Sequence, residues 1–485
     1  VLGGAGVNTI TGSASDLGDN ITGGGSNDLF RFEATDLTTL DTIAGGEGTD
    51  AIQMVDDETL ADADFTNVTS VETLTTAAAD INLTAVLGAA ASASGLQTVT
   101  LTDTGAAESV TIGAGFATDL SVSAGDAGHA NTIDATGMTG VLTVTATGPE
   151  LATSAHAITG GSSTSDELVI TVENTDDTVL LTNLTAVEKI TTSGADGDIT
   201  MVIPDAAIAA GATLTIDGTS LNDDNLNVDA SGDTNGTVYI TADGTGTHTV
   251  SLGAGNDTFT SVTATATSVD NITATAGNNT ISTGGGDDII ILGTGNDTVL
   301  AGDDDDAFQS LTANLTAADS LNGGDGDDSI VMTDDATVID ADFTLVTNTE
   351  ILTASANKNL AVTLGALAQA AGLTTVNLTD TGGNDSVTVG AGFTNALTVD
   401  FDSDASNANS VVATAYTGAL TVTAADDELD TTASTITGGT GTSDALNVTL
   451  TAGDDTILLT NVTGIENINT VGALGNVTMS VIDAN

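Results

Sequence analysis

Five residues of this chain hold a strict register. Asp270, Asn279, Asp288, Asp297 and Asp306 follow one another at intervals of nine. Each is followed two positions later by an apolar side chain: Ile272, Ile281, Ile290, Val299 and Phe308. Gly277, Gly284, Gly286, Gly293, Gly295 and Gly302 precede them at fixed offsets. Roughly six residues of each repeat make a tight turn, in which Gly supplies positive φ and lets backbone carbonyls point inward. The remaining three or so make a short strand whose central apolar residue fills a core. Two such repeats complete one coil, so residues about 18 apart stack. The register therefore predicts a parallel β-helix in which Asp270, Asp288 and Asp306 line one edge and Asn279 and Asp297 the other.

The pattern behind the register is G-G-x-G-x-D-x-U-x. Unbroken copies stand at residues 45–52 and 323–330, around Asp50 and Asp328. Near copies occupy 23–30, with Ser26 for a Gly before Asp28, and 252–259, with Leu252 for the first Gly before Asp257. Residues 3–10 carry Asn8 in the Asp position. A carboxylate from one coil and carbonyls from the next can surround a cation. Calcium takes six to eight hard oxygen ligands at flexible geometry, whereas magnesium fits such a cage poorly. The candidate ligands are Asp28, Asp50, Asp257, Asp270, Asn279, Asp288, Asp297, Asp304, Asp306 and Asp328. The competing reading of any single Gly-x-Asp is an Asx turn without metal; five in register favour the cation. Asp166 after Gly160-Gly161 and Asp444 after Gly438-Gly439 have an extra residue in the turn, and there both readings stay open.

Charge makes the same demand. The chain carries 68 Asp and Glu against 3 Lys and Arg (Arg31, Lys189 and Lys358), a formal net charge of −65. Two carboxylates about 5 Å apart in water repel by roughly 0.8 kcal/mol, and many such pairs add up. The compensating charge must come from outside, as bound divalent cations or high salt. Nucleic acid and anionic membrane surfaces repel such a chain and are excluded as partners. High net charge with few aromatics usually means disorder, but 40% of these residues are hydrophobic, so a core can be buried. Val, Ile, Leu, Ala and Thr must build it, since Trp is absent and Tyr occurs twice. With no Cys, stability does not rest on disulfides. No apolar run approaches the ~18–20 residues that span a bilayer, so no membrane insertion is expected.

The nonapeptides resemble those of the repeats-in-toxin (hemolysin-type calcium-binding) family. The match covers about residues 1–54 and 251–332. The Thr/Ala/Val/Asp-rich remainder resembles bacterial S-layer proteins and large surface adhesins that carry such repeats. The resemblance implies export through a one-step exporter, folding on meeting external calcium, and assembly at the cell surface.

A longer repeat overlies the short one. Residues 65–74 (FTNVTSVETL) return at 343–352 (FTLVTNTEIL), an offset of 343 − 65 = 278. Residues 181–190 return at 459–468, again 278 later, and 101–105 (LTDTG) return at 378–382, 277 later. The chain reads as a tandem duplication of a unit of about 278 residues, the second copy stopping at Asn485. It begins at Val1 without a Met, and a mature product or a piece of a longer protein is expected. Four segments follow: 1–54 and 251–332 as nonapeptide blocks, and 55–250 and 333–485 as Thr/Ala/Asp-rich β segments. Short strands are predicted at 73–76, 98–102, 109–112, 120–123, 141–145, 168–172 and 179–184, and short helices at 83–94, 362–371 and 205–210.

Other constellations are weak. His129, His156 and His248 are isolated, and His156 and His248 read as turn or surface residues rather than ligands. No H-E-x-x-H, G-x-S-x-G or P-loop is present. A glycosidase would need aromatic or basic residues to hold a sugar, and these are scarce. Glu72, Glu188, Glu350 and Glu466 recur at one point of the 65–74-type segment and read as a strand-edge position rather than a metal site. Asn-x-Thr sequons, as at Asn67, Asn183, Asn314, Asn377 and Asn461, read as a by-product of Asn turns beside Thr-rich strands. The expected molecule is an all-β, secreted, calcium-dependent structural protein and not an enzyme. It would self-associate as an S-layer or extracellular filament subunit, with cell-surface polysaccharide as a further partner. The alternatives are a calcium-stiffened adhesin stalk, and the secretion region of an enzyme or toxin.

Overall fold

The computed structural model describes residues 1–13, 17–33, 35–77, 81–101, 107–125, 129–153, 156–173, 175–194, 197–221, 223–262, 268–378, 384–401, 408–429, 434–450, 455–472 and 477–480. It divides into two compact units, Val1–Thr258 and Phe259–Asn485. Each is a parallel β-solenoid with a few short helices.

In the first unit, strands such as Thr73–Thr76, Thr98–Leu101, Leu120–Ala124, Leu142–Thr147, Glu167–Val172 and Lys189–Gly194 pair in chain order, each with its counterpart one coil later. The register aligns Val99, Val122, Val144, Leu168, Ile190, Ile216 and Ile240 in one inward column. All seven are fully buried. A second face runs through Leu83–Leu87, Ser109–Ile112, Thr132–Asp134 and Ala157–Thr159. The outward positions beside the column are hydroxyls or charges, as in Thr98, Ser121, Thr143, Glu167 and Lys189. β-Branched residues suit this pattern because each branched side chain packs on its like in the next coil.

The second unit repeats the logic with Ile272, Ile290, Phe308, Ile330, Leu352, Val376, Val399 and Val422 in column. Coil length varies within it. The strands Asn271–Thr273, Ile289–Ile291 and Ala307–Ser310 pair 18 residues apart. Ala307 then pairs with Ser329, and Ser329 with Ile351, 22 apart in both cases. The extra residues enter the turns, and the inward column is undisturbed.

The expected helices at 83–94 and 362–371 form only in their second halves, Ala89–Ser94 and Ala366–Ala371. Their first halves are the strands Leu83–Leu87 and Leu360–Leu364, because alternate residues there face the core. Asp62 of the preceding coil caps the first helix. Its Oδ1 accepts the N–H groups of Gly88 at 2.7 Å and Ala91 at 2.9 Å, and its Oδ2 that of Ala90 at 3.1 Å. Asp340 receives Leu367 and Ala368 in the same way. The 205–210 helix shortens to a 3₁₀ turn at Asp205–Ala207. The expected LTDTG pair at 101–105 and 378–382 falls largely outside the described residues. Among the described residues no helix is long and apolar enough to cross a membrane.

Burial predicts a sharp asymmetry between inward and outward positions of the first unit. Phe116→Ala, at a fully buried position, should cost about 3–5 kcal/mol. Thr143→Ala, on the outward face, should change stability by no more than about 0.5 kcal/mol. Denaturant unfolding of the two variants checks this.

Candidate metal centre

The nonapeptide turns build a row of buried acids, each tied to the coil before it. In the second unit the N–H of Asp270 donates to Asp288 Oδ1 at 2.7 Å, that of Asp288 to Asp306 Oδ1 at 2.8 Å, and that of Asp306 to Asp328 Oδ1 at 2.8 Å. On the other edge Asn279 N–H donates to Asp297 Oδ1 at 2.9 Å, and Asp297 N–H to Asp319 Oδ1 at 2.9 Å. The first unit carries the same row: Asn8 N–H to Asp28 Oδ1 and Asp28 N–H to Asp50 Oδ1, both at 2.7 Å. Val238 N–H donates to Asp257 Oδ1 at 2.8 Å. These acids are at most 2% exposed.

One oxygen of each acid is thereby satisfied. The second is not, among the described residues, in Asp28, Asp50, Asp288, Asp297, Asp306 and Asp328: their Oδ2 atoms are buried without a hydrogen-bond partner. Leaving a buried ionised oxygen unmatched is expensive. Burial accordingly pushes Asp306 up to about 8, with the neighbouring charges of Asp288 and Asp328 adding to it. Burial likewise pushes Asp288 and Asp328 up to about 6. Asp50, Asp257 and Asp297 also rise above the ordinary carboxylate range, again chiefly through burial.

The space beside the unmatched oxygens is lined by backbone carbonyls. A Cβ added to Gly45 would overlap both Asp50 Oδ2 and the Ser70 carbonyl oxygen; one added to Gly323 would overlap Asp328 Oδ2 and the Asn348 carbonyl oxygen. Glycine keeps that space open at the point where oxygens of two successive coils meet. Among the described residues no three His, Cys, Asp or Glu side chains gather into a cage. The donor set is instead one carboxylate oxygen per turn plus carbonyls, all hard oxygen. That set suits calcium, and the unmatched Oδ2 atoms of Asp28, Asp50, Asp288, Asp297, Asp306 and Asp328 are the atoms that would hold it. A bound divalent charge supplies what the rows lack, a positive centre between like charges.

Two expected ligands stand apart. Asn279 lies in the row, but its amide nitrogen donates to Asp297 Oδ1 at 3.0 Å, so it serves as a neutral end rung. Asp304 is exposed, with a left-handed φ of 76°. It occupies a turn position that Gly holds in other repeats, outside the buried row. Exposed acids form an outer row nearby: Asp305 N–H donates to Asp287 Oδ1 at 3.2 Å and Asp327 N–H to Asp305 Oδ1 at 2.8 Å.

Several members of the rows escaped the sequence reading. Glu72 and Glu350 are more than strand-edge residues. Their Oε2 atoms accept the N–H of Asp50 at 2.8 Å and of Asp328 at 3.0 Å, as the last acidic rung of each row. Glu188 and Glu466 do the same for Asp166 and Asp444. Asp319 ends the other edge, its Oδ2 held by Thr316 N–H at 2.7 Å. The available signal was spacing: 72 − 50, 350 − 328 and 319 − 297 all equal 22. His156 and His248 are buried, which corrects their reading as turn or surface residues. Their Nδ1 atoms accept the N–H of Asn131 at 3.2 Å and of Leu226 at 3.1 Å. Burial holds His248 down at about 4, and an unprotonated Nδ1 is what that hydrogen bond requires.

The raised acids fix how stability should depend on pH. At and below the ordinary carboxylate range, folded and unfolded chains both carry the proton. Between that range and about 8 only the folded Asp306 carries it. Metal-free protein therefore loses this contribution progressively as pH rises from about 4 to about 8, and no further above. Calcium must displace those protons, so its affinity rises over the same interval. Asp306→Asn keeps the acceptor for Asp288 N–H and removes the charge. It should raise the melting temperature of calcium-free protein, flatten its pH dependence, and weaken calcium binding at that site roughly tenfold or more. Thermal melts of desalted protein from pH 5 to 9, with calcium titrations, check all three.

Residues 267–308 and 316–331 match the family model of the RTX calcium-binding nonapeptide repeat, in four copies. No curated protein and no solved structure matches the chain. Such repeats are typical of secreted, extracellular proteins. The buried acid rows of the second unit thus lie in a set of RTX repeats, and calcium is the cation that RTX repeats bind.

Proposed function

We propose that the chain is a calcium-stiffened structural protein of a bacterial cell surface that self-associates as an S-layer or filament subunit. The observation that carries the reading is the arrangement of the acid rows. They run along the stacking direction of the coils, so a cation held between two rungs locks one coil to the next. Calcium then acts on stiffness and on folding, the properties that a scaffold needs. The chain's outward faces are rows of Thr, Ser and Asn with scattered acids, chemistry suited to side-by-side packing through hydrogen bonds and shared cations. The same faces suit neutral cell-surface polysaccharide. The sequence carries no H-E-x-x-H, G-x-S-x-G or P-loop motif, and on that ground we read the chain as non-catalytic.

A second reading is the stalk of a large adhesin. A stack of coils cross-linked along its axis is also what a stiff arm requires, and it favours this reading as much as the first. Electron microscopy of native material at millimolar calcium, with and without EGTA, separates them. Ordered sheets or fibres that dissolve in chelator support the lattice or filament. Single extended particles at all concentrations support the stalk. Assemblies indifferent to EGTA overturn both.

A further inference from the structure

Four places in the chain share one design. In each, an Asp after a Gly-Gly pair donates its N–H to a Glu 22 residues on: Asp50 to Glu72, Asp166 to Glu188, Asp328 to Glu350 and Asp444 to Glu466. The Glu N–H returns the bond to the Asp carbonyl in all four, at 2.9–3.0 Å. Two residues before each Glu the backbone turns left-handed: Ser70 at φ 48°, Ala186 at 51°, Asn348 at 49° and Gly464 at 66°. A non-Gly residue in that region is strained, and its carbonyl is aimed across the coil. Those four carbonyl oxygens lie where a Cβ on Gly45, Gly160, Gly323 and Gly438 would sit.

The four clasps part company at the second oxygen of the Asp. Asp50 and Asp328 leave Oδ2 buried without a hydrogen-bond partner, and both residues are fully buried. Asp166 Oδ2 accepts Gly161 N–H at 2.5 Å, and Asp444 Oδ2 accepts Gly439 N–H at 2.6 Å. The cause is turn length. Asp50 and Asp328 lie five residues after the first Gly of the pair, whereas Asp166 and Asp444 lie six after it. In the shorter turns the second Gly is left-handed, Gly46 at φ 111° and Gly324 at 121°; Gly161 and Gly439 are not. The added residue rotates the second Gly so that its N–H faces the carboxylate.

We propose that the clasps at Asp50 and Asp328 each hold a calcium ion between the Asp Oδ2 and the carbonyl oxygen of Ser70 or Asn348, and that the clasps at Asp166 and Asp444 are closed by a backbone N–H and hold none. Ser70 and Asn348 lie outside the nonapeptide pattern, so the last cation of each block is bounded by the segment that follows it. The Glu of each clasp is a positioning residue: it fixes the Asp backbone and contributes no ligand. The chain then contains coils that need calcium and sister coils that have built its replacement into the backbone. This rests on calcium binding by the nonapeptide turns and is independent of what the protein assembles into.

The test uses the full chain. Bound calcium is counted by equilibrium dialysis and elemental analysis for Asp50→Asn, Asp328→Asn, Asp166→Asn and Asp444→Asn, with far-ultraviolet circular dichroism to confirm folding. The first two should each lose an ion and melt no lower than the unaltered chain in chelator. The last two should keep the ion count and melt lower with and without calcium, since the single Asn amide oxygen cannot replace both carboxylate oxygens, which accept Leu142 and Gly161 N–H in Asp166 and Leu420 and Gly439 N–H in Asp444. Hydrogen exchange on the unaltered chain gives a readout that needs no variant. In chelator the amides of Asp28 and Asp306 should lose protection while those of Gly161 and Gly439 keep it. Loss of an ion from Asp166→Asn or Asp444→Asn overturns the proposal. So does an unchanged count in Asp50→Asn and Asp328→Asn, or equal loss of protection at all four amides.

Discussion

A single kind of hydrogen bond orders the stack: a backbone N–H of one coil donates to a side-chain acceptor of the next. Parallel strands satisfy their own backbone, but each turn into a strand leaves an N–H facing inward that no strand partner can reach. A buried donor cannot stay unmatched. The chain supplies the acceptor from the coil above, and the acceptor varies. Asp serves at 28, 50, 166, 288, 306 and 328, Asn at 131 and 409, His at 156 and 248, Ser at 434, and Glu at 72 and 350. What these residues have in common is an acceptor atom two to four bonds from the backbone.

This shared requirement explains which acids need a cation. An Asn or His can accept one N–H and remain neutral. An Asp that accepts one N–H must either keep its proton or carry a full charge on a second oxygen that has to be matched. The nonapeptide turns choose Asp repeatedly and stack the choices. Asp288, Asp306 and Asp328 then lie in one dry row, each with an unmatched oxygen. The arrangement is unfavourable by itself, and burial together with the neighbouring charges pushes these acids above the ordinary carboxylate range. A divalent ion converts the defect into a cross-link. With a net charge of −65 and three basic side chains, the chain has almost nothing else to set against its acids.

The fold was largely legible in the sequence where the coil length is constant. Asp270, Asp288 and Asp306 repeat every 18 residues, and the stack can be read straight from that period. It was less legible where turns lengthen. The step from Asp306 to Asp328, and on to Glu350, takes 22 residues, and a search at period nine loses the thread there. Glu350 recurs in the sequence as part of the 65–74-type segment, and nothing in its neighbourhood resembles a nonapeptide, so its place in the acid row has no local sign. His156 and His248 were misread because a lone His among Thr and Gly carries no local sign of burial. The helices at 83–94 and 362–371 were overextended for the opposite reason. Their Ala content favours helix, but Leu83, Ala85 and Leu87 stack on the neighbouring coil, and tertiary packing overrode propensity.

Turn length also decides the chemistry of the site, and this could not be read from residue types alone. Gly-Gly followed by Asp occurs in all four clasps, and composition cannot separate them. One more residue in the turn at 160–166 and 438–444 swings a peptide N–H onto the oxygen that is buried and unmatched in Asp50 and Asp328. The two solutions satisfy the same buried carboxylate, one with the chain's own backbone and the other with an ion from the medium. A solenoid assembled from both kinds of coil can be firm in some stretches whatever the surroundings, and in others only where calcium is present. The boundary between them is set by single-residue insertions, which a stack of coils tolerates because each turn lies outside the inward column.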